Sequence, residues 1–171
     1  SPDDVAIVVH THLHADHVGW NITYEDGVAR PTFPKAKYLV PRADWEHFIQ
    51  ANILSLPQNE HIRDHVAPLE QLGVMELVEG GQIITSEIST LHTPGHTPGH
   101  QCILIDSQGQ RGVVVGDVIH MSVQIEHSDW CAGVDLDKPT GQKSREDLLD
   151  QSEREGLLIV AGHFKVNEHF G

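Results

Sequence analysis

Four short apolar runs in this chain each lead to a residue that can bind a metal ion, and no other feature limits the possible folds as strongly. Residues 5–9 run into His12-Leu13-His14-Ala15-Asp16-His17, four potential ligands in six residues. Residues 88–92 precede Thr93-Pro94-Gly95-His96-Thr97-Pro98-Gly99-His100, where prolines and glycines fix a tight path. Val113-Val114-Val115 ends in Gly116-Asp117, and residues 157–161 end in Gly162-His163. Strands that hold loop residues at one edge are how an α/β sheet presents chemistry, so the chain is read as α/β.

The ligand types narrow the chemistry. Imidazole binds as the neutral ring and carboxylate binds hard cations, so an H-x-H-x-D-H loop can serve two adjacent ions. His12 and His14 alternate and can point to one ion, while Asp16 and His17 reach a second. With two cysteines in the chain, a four-thiolate structural zinc is excluded, and a mixed His/carboxylate set leaves positions open for catalysis. The predominance of histidine favours zinc, with iron, manganese or cobalt compatible with the same ligands.

A length of 171 residues fits one domain, 1–171, with a sizeable core. The formal net charge of −14 argues against a nucleic-acid partner held through its phosphates, although two divalent ions would make a site locally positive. Cys102 and Cys131 have no C-x-x-C spacing and read as thiols, Cys102 as a small core residue. No apolar stretch reaches membrane-spanning length and no leader-like segment opens the chain, which sets an expectation of a cytoplasmic protein without a membrane partner. The chain opens on Ser1-Pro2 without an initiator methionine, so a leader could precede it.

Strand-like and helical stretches alternate without repeats. Strands are expected at 5–9, 37–40, 74–78, 88–92, 101–106, 112–118 and 157–161. A short helix should begin at 15–19. An amphipathic one should cover 43–51 with Trp45, Phe48 and Ile49 on its apolar side, and another should cover 60–72 and stop at Gly73. Residues 144–155 read as a helix capped by Ser144, with Glu146 and Asp147 in its first turn. Residues 128–141 lack periodicity and read as a loop over the site.

With these elements in order, the chain resembles the metallo-β-lactamase superfamily of metallohydrolases. The H-x-H-x-D-H, T-P-G-H-T, G-D and G-H elements extend from His12 to His163, nearly the whole chain. The strings HLHADHVGWN at 12–21, GDVIH at 116–120 and VQIEHSDW at 123–130 are most similar to the branch of lactonases and methyl-parathion-type hydrolases. The resemblance implies an αββα sandwich and two divalent metal ions. His12, His14 and His96 would bind the first ion, Asp16, His17 and His163 the second, with Asp117 bridging. It implies a small-molecule substrate, a lactone, ester or phosphotriester attacked by a metal-bridging hydroxide. Asp16 would also orient the hydroxide and carry the proton to the leaving group.

Beyond these ligands the residues say less. His120 stands where acyl-homoserine-lactone lactonases carry a tyrosine, and it is read as a catalytic contact to substrate, as support for the ligands, or as a satisfied structural histidine; His100 has the same readings. Trp20 and Trp130 could line an apolar pocket or pack at its rim. His61 and His65 are one helical turn apart without the glutamate of a zincin motif, which reads as a solvated face. His10, His47, His92, His127 and His169 receive no role. No G-x-S-x-G elbow or catalytic-cysteine motif supports a covalent route.

Three alternatives share the motif. A glyoxalase-II-like thioesterase would need a basic cluster to grip a glutathione carboxylate, and Arg30, Lys35, Lys37 and Arg42 read instead as solvated surface. A mononuclear iron sulfur dioxygenase uses the same scaffold, whereas the oxygen-reducing branch would prefer a carboxylate at His14. Finally, family members carry several strands before the metal loop and here one precedes it. The first sheet is therefore expected to be N-terminally shortened, leaving a homodimer that covers the exposed face, or an incomplete metal-binding fragment.

Overall fold

The strand that delivers the histidine-rich loop, β1 (Ile7–Val9), pairs in parallel with β4 (Lys37–Pro41), which pairs in parallel with β5 (Met75–Val78). A computed structural model of the protein describes residues 1–164; His169 lies outside them. The described chain forms two compact units, one of residues 1–79 and one beginning at Gly80.

In the first unit, β4 is the centre of the three-stranded sheet, and Tyr38, Leu39, Val40 and Pro41 are all buried. A strand flanked by parallel neighbours has little face left for polar residues, hence the unbroken apolar run. Helix α1 (Ala15–Val18) follows the metal loop. A hairpin of β2 (Ile22–Glu25) and β3 (Val28–Pro31) comes next, turning at Asp26 and Gly27 with φ of 51° and 78°. Two positive φ values select a type I′ turn, so Asp-Gly was a legible hairpin signal that the periodicity reading passed over. Helices α2 (Arg42–Phe48) and α3 (Ala51–Leu54) replace the single helix expected at 43–51; Trp45 and Phe48 are buried and Ile49 is exposed.

The helix expected at 60–72 is broken. Residues Ile62–Val66 form a π-turn, with Ala67 N–H reaching back to Ile62 O, and α4 (Ala67–Gln71) follows. Pro68 is the cause, because it cannot donate to the carbonyl of Asp64 and its ring crowds that carbonyl. The Tyr24 hydroxyl donates to Asp64 O instead, at 2.9 Å. The altered winding also removes the solvated face assigned to His61 and His65, both of which are half-buried.

In the second unit, β6 (Ile88–His92), β7 (Gln101–Ser107), β8 (Gln110–Val114) and β9 (Leu158–Val160) form one sheet in that order. The first two pairings are antiparallel and the last parallel, so β6, β8 and β9 run in the same direction. Their C-terminal ends lie at one sheet edge, and they lead respectively to His96, Asp117 and His163. Strand β8 stops short of the expected 118 because Gly116 takes φ +54° and turns the chain. Helix α5 (Val123–Glu126) is short, and α6 (Lys138–Glu155) packs Leu148 against Cys102, Val113, Val115, Val118 and Ile119.

Helix α6 begins six residues before the expected Ser144. Asp137 is its cap, accepting from Thr140 N–H and Oγ–H, and Pro139 sits in the first turn. Ser144 is interior, with its hydroxyl donating to Pro94 O at 2.7 Å. Residues 138–141, expected as loop, are therefore helical, and Glu146 and Asp147 lie beyond the first turn. Among the described residues, no helix is long and apolar enough to cross a membrane.

Candidate metal centre

The first group of candidate ligands is almost entirely local. Beyond β1, His10 N–H continues the ladder to Leu39 O, and the chain then leaves the sheet. Leu13 is fully buried in a cluster with Val18, Val40, Trp45, Phe48, Ile62 and Val66, a burial that stabilises by about 1.5–3 kcal/mol. Its backbone is held as well: Leu13 N–H donates to Asp44 Oδ2 at 3.1 Å and Leu13 O lies 2.9 Å from His61 Nε2. Pinning residue 13 inward turns its neighbours His12 and His14 toward each other.

His12 Nε2 and His14 Nδ1 are 3.1 Å apart, and the His12 and His17 rings lie 4.1 Å apart centre to centre. His14 caps α1 by position only; its ring makes no cap hydrogen bond and faces His12 instead. Asp16 Oδ2 is 3.5 Å from His17 Nε2, and its carboxylate is mostly exposed. His10 bridges Leu39 O through Nδ1 and Asn21 Oδ1 through Nε2, and its burial lowers its pKa.

The second group is assembled from distant segments. Asp117, 3% exposed, has Oδ2 at 3.1 Å from His120 Nδ1, 3.3 Å from His163 Nε2 and 3.5 Å from His96 Nε2. His120 stacks on His163 with centroids 4.2 Å apart and is half-exposed. Asp117 N–H donates to His100 Nε2 at 3.0 Å, so His100 carries its own hydrogen on Nδ1, which faces Thr93 Oγ1 at 2.9 Å. Fully buried His100 thus supports the backbone of Asp117.

The His96 loop is clamped to the start of α6. Gly95 has φ +128°, and a Cβ there would meet Gly141 N at 2.1 Å. Asp137 N–H donates to Gly95 O and Leu136 N–H to His96 O. His96 Nδ1 lies 2.8 Å from Asp135 Oδ1. Burial would raise the Asp135 carboxyl, but the His96 hydrogen bond, the Ala132 N–H and the charge of Arg145 hold it below its ordinary value.

Neutral imidazoles and carboxylates of this kind fit divalent ions. Where Nδ1 of His96 donates to Asp135, Nε2 turns a lone pair toward Asp117 Oδ2, and two acceptors facing one another at 3.5 Å are what a cation reconciles. His12 and His14 likewise turn ring nitrogens toward each other. Sequence reasoning did not reach Asp44, Asp135 or Arg145. Trp20 and Trp130, candidates for a pocket wall, are 82% and 52% exposed. Of the four cations at 30, 35, 37 and 42, Arg30, Lys37 and Arg42 pair at the surface with Glu25, Glu76 and Glu79.

The family model of the metallo-β-lactamase superfamily matches residues 1–163. An N-acyl homoserine lactonase of a Bacillus species is 26% identical over 163 residues, covering 95% of this chain and 57% of the relative. The N-acyl homoserine lactonase AttM of Agrobacterium fabrum is 25% identical, with 95% and 59% covered. Among solved structures, a hydrolase of the β-lactamase superfamily, AbOPH, superposes with a TM-score of 0.83 at 26% identity, covering 97% of this chain and 59% of that one. A dizinc quorum-quenching lactonase, AidC, in complex with a product, superposes at 0.78 with 21% identity, covering 98% and 60%, a likeness of fold. The chain spans a little over half the length of the relatives it matches.

Proposed function

Because the chain belongs to the metallo-β-lactamase superfamily, we propose that it is the metal-binding part of a hydrolase that opens lactone rings. The observation that carries the reading is the convergence of imidazoles from three separate elements on the buried carboxylate of Asp117. The relatives named as N-acyl homoserine lactonases supply the substrate class. On this proposal His12, His14 and His96 would hold one ion and Asp16, His17 and His163 the other, Asp117 would serve both, and the metal would be zinc. Bound, the two ions supply a water of lowered pKa and a Lewis-acid hold on the carbonyl oxygen.

The chain's own residues do the rest. Asp117 would contribute negative charge to both ions, and His100, through the Asp117 N–H, keeps that carboxylate in place. Asp16 stands one residue from His17 with its carboxylate open to solvent, suited to accept a proton from the attacking water and return it to the departing alkoxide. The acyl C–O bond breaks, water adds across it, and the product is a hydroxy acid. His120 lies between Asp117 and solvent, where it can touch both the ligand and an incoming substrate.

Chelation of the purified chain followed by zinc or cobalt addition, read on a panel of lactone, thioester, aryl ester and phosphotriester, tests the reading. Ring opening that chelator abolishes and metal restores is expected for the lactone. Turnover of the thioester alone would replace it. Asp117→Asn should bind metal more than about 100-fold more weakly, and His120→Ala only about tenfold or less. Equal losses would overturn the division of roles.

A further inference from the structure

Asp135 and Arg145 belong to none of the motifs, yet each has 1% of its side chain exposed, as does His96. We infer that Asp135 and Arg145 are positioning residues that hold the His96 ring in the one tautomer and orientation in which Nε2 offers its lone pair beside Asp117. The inference rests on reading His96 as a metal ligand.

Three contacts argue for it. Asp135 divides its two oxygens: Oδ1 lies 2.8 Å from His96 Nδ1 and Oδ2 accepts from Ala132 N–H at 2.9 Å. A carboxylate only accepts, so the His96 hydrogen sits on Nδ1 and the ring's other nitrogen is the basic one. The Arg145 guanidinium, rising from α6, donates from Nε to Val118 O at 2.8 Å and from Nη1 to Ser128 O, with Nη2 at 3.7 Å from Asp135 Oδ2. Val118 follows Asp117 directly. One buried cation is thereby braced between the backbone beside Asp117 and the carboxylate that holds His96.

The geometry differs from that of a pair built for stability. A guanidinium and a carboxylate that only paired would meet as a two-bonded fork. Here the short bonds of Asp135 go to the imidazole and a backbone N–H, and Arg145 compensates its charge from a longer distance in a dry setting.

Asn at 135 cannot reproduce the arrangement. If its oxygen faces His96, its NH2 opposes Ala132 N–H and Arg145. If it turns over, the NH2 points at Nδ1 and drives the ring to the Nε2–H form. The test uses the whole chain, metal-free, with two-bond 15N–1H NMR couplings at pH 8.5 to read the His96 tautomer, and zinc affinity by chelator competition. The wild type should show Nδ1–H. Asp135→Asn should shift it toward Nε2–H and weaken zinc binding about 10- to 100-fold, with a smaller loss for Arg145→Gln. Leu148→Ala, in the same helix but buried in the apolar cluster with Cys102 and Val113, should lower thermal stability and leave zinc affinity unchanged. An Nε2–H ring in the wild type, a wild-type tautomer and affinity in Asp135→Asn, or an equal zinc loss in Leu148→Ala would each overturn the inference. If the wild type has the Nδ1–H ring, and Asp135→Asn loses it, but neither binds zinc, the positioning role stands and the metal-site reading falls.

Discussion

The two clusters of candidate ligands are held by opposite means. In the first unit, His12, His14, Asp16 and His17 lie within six residues, and the loop is fixed by burying an apolar plug, Leu13, whose backbone is also bonded by Asp44 and His61. In the second, His96, Asp117 and His163 come from segments far apart in sequence, and a buried polar network of His100, Asp135, Arg145 and Ser144 holds the first two. A local cluster needs only its loop pinned. A dispersed one needs each ligand tied to the next, which directional hydrogen bonds do and apolar contacts do not.

If that contrast is right, the first cluster should fail most severely when its plug is cut. Leu13→Ala should lower stability by about 2–5 kcal/mol, since nothing near the site can refill the space between α2 and the π-turn. Urea denaturation measures it, and a loss below about 1 kcal/mol would show that the plug does not anchor the loop.

Next in size is Gly95→Ala, which should cost about 2–3 kcal/mol, because φ +128° and contact with the Gly141 backbone strain any side chain there. Gly19→Ala, beside the first cluster, should stay within about 1 kcal/mol, its Cβ meeting only Ala15 O at 3.2 Å with the backbone already helical. Similar effects at the two glycines would erase the difference in how the loops are held.

Asp44→Ala should remove about 1–3 kcal/mol by leaving Leu13 N–H buried without an acceptor. Thermal unfolding of the metal-free chain measures this without interference from bound ions.

The smallest effect concerns the core beneath the second cluster. Burial pushes the Cys102 thiol up to about 12, so at pH 8 it should not react with a thiol reagent while the protein is folded. One reactive thiol in the native chain, at partly exposed Cys131, and two after denaturation are expected. Two in the native state would show that the sheet opens easily.

What could be read from sequence follows the same division. His12 to His17 stand out in the sequence because they are contiguous, and His96, Asp117 and His163 because each follows shortly after an apolar strand. Asp135 escaped because nothing in its surroundings, an aperiodic stretch with exposed Val134 and Leu136, marks a carboxylate that reaches His96 across 39 residues. Arg145 escaped because a charged residue in a helix reads as surface, and only the fold shows it fully buried. The start of α6 was misplaced because Ser144 resembles a cap, whereas Asp137 with Pro139 was the stronger signal. At Pro68 the periodicity of 60–72 hid a break that the proline itself announces.

On the proposed function the two differently built clusters serve two metal ions. The most direct measurement is the number of zinc ions retained per chain after metal loading and exhaustive dialysis, by elemental analysis against protein concentration. The account predicts two, falling below one in Asp117→Asn. Retention of one ion or none by the wild-type chain would contradict it.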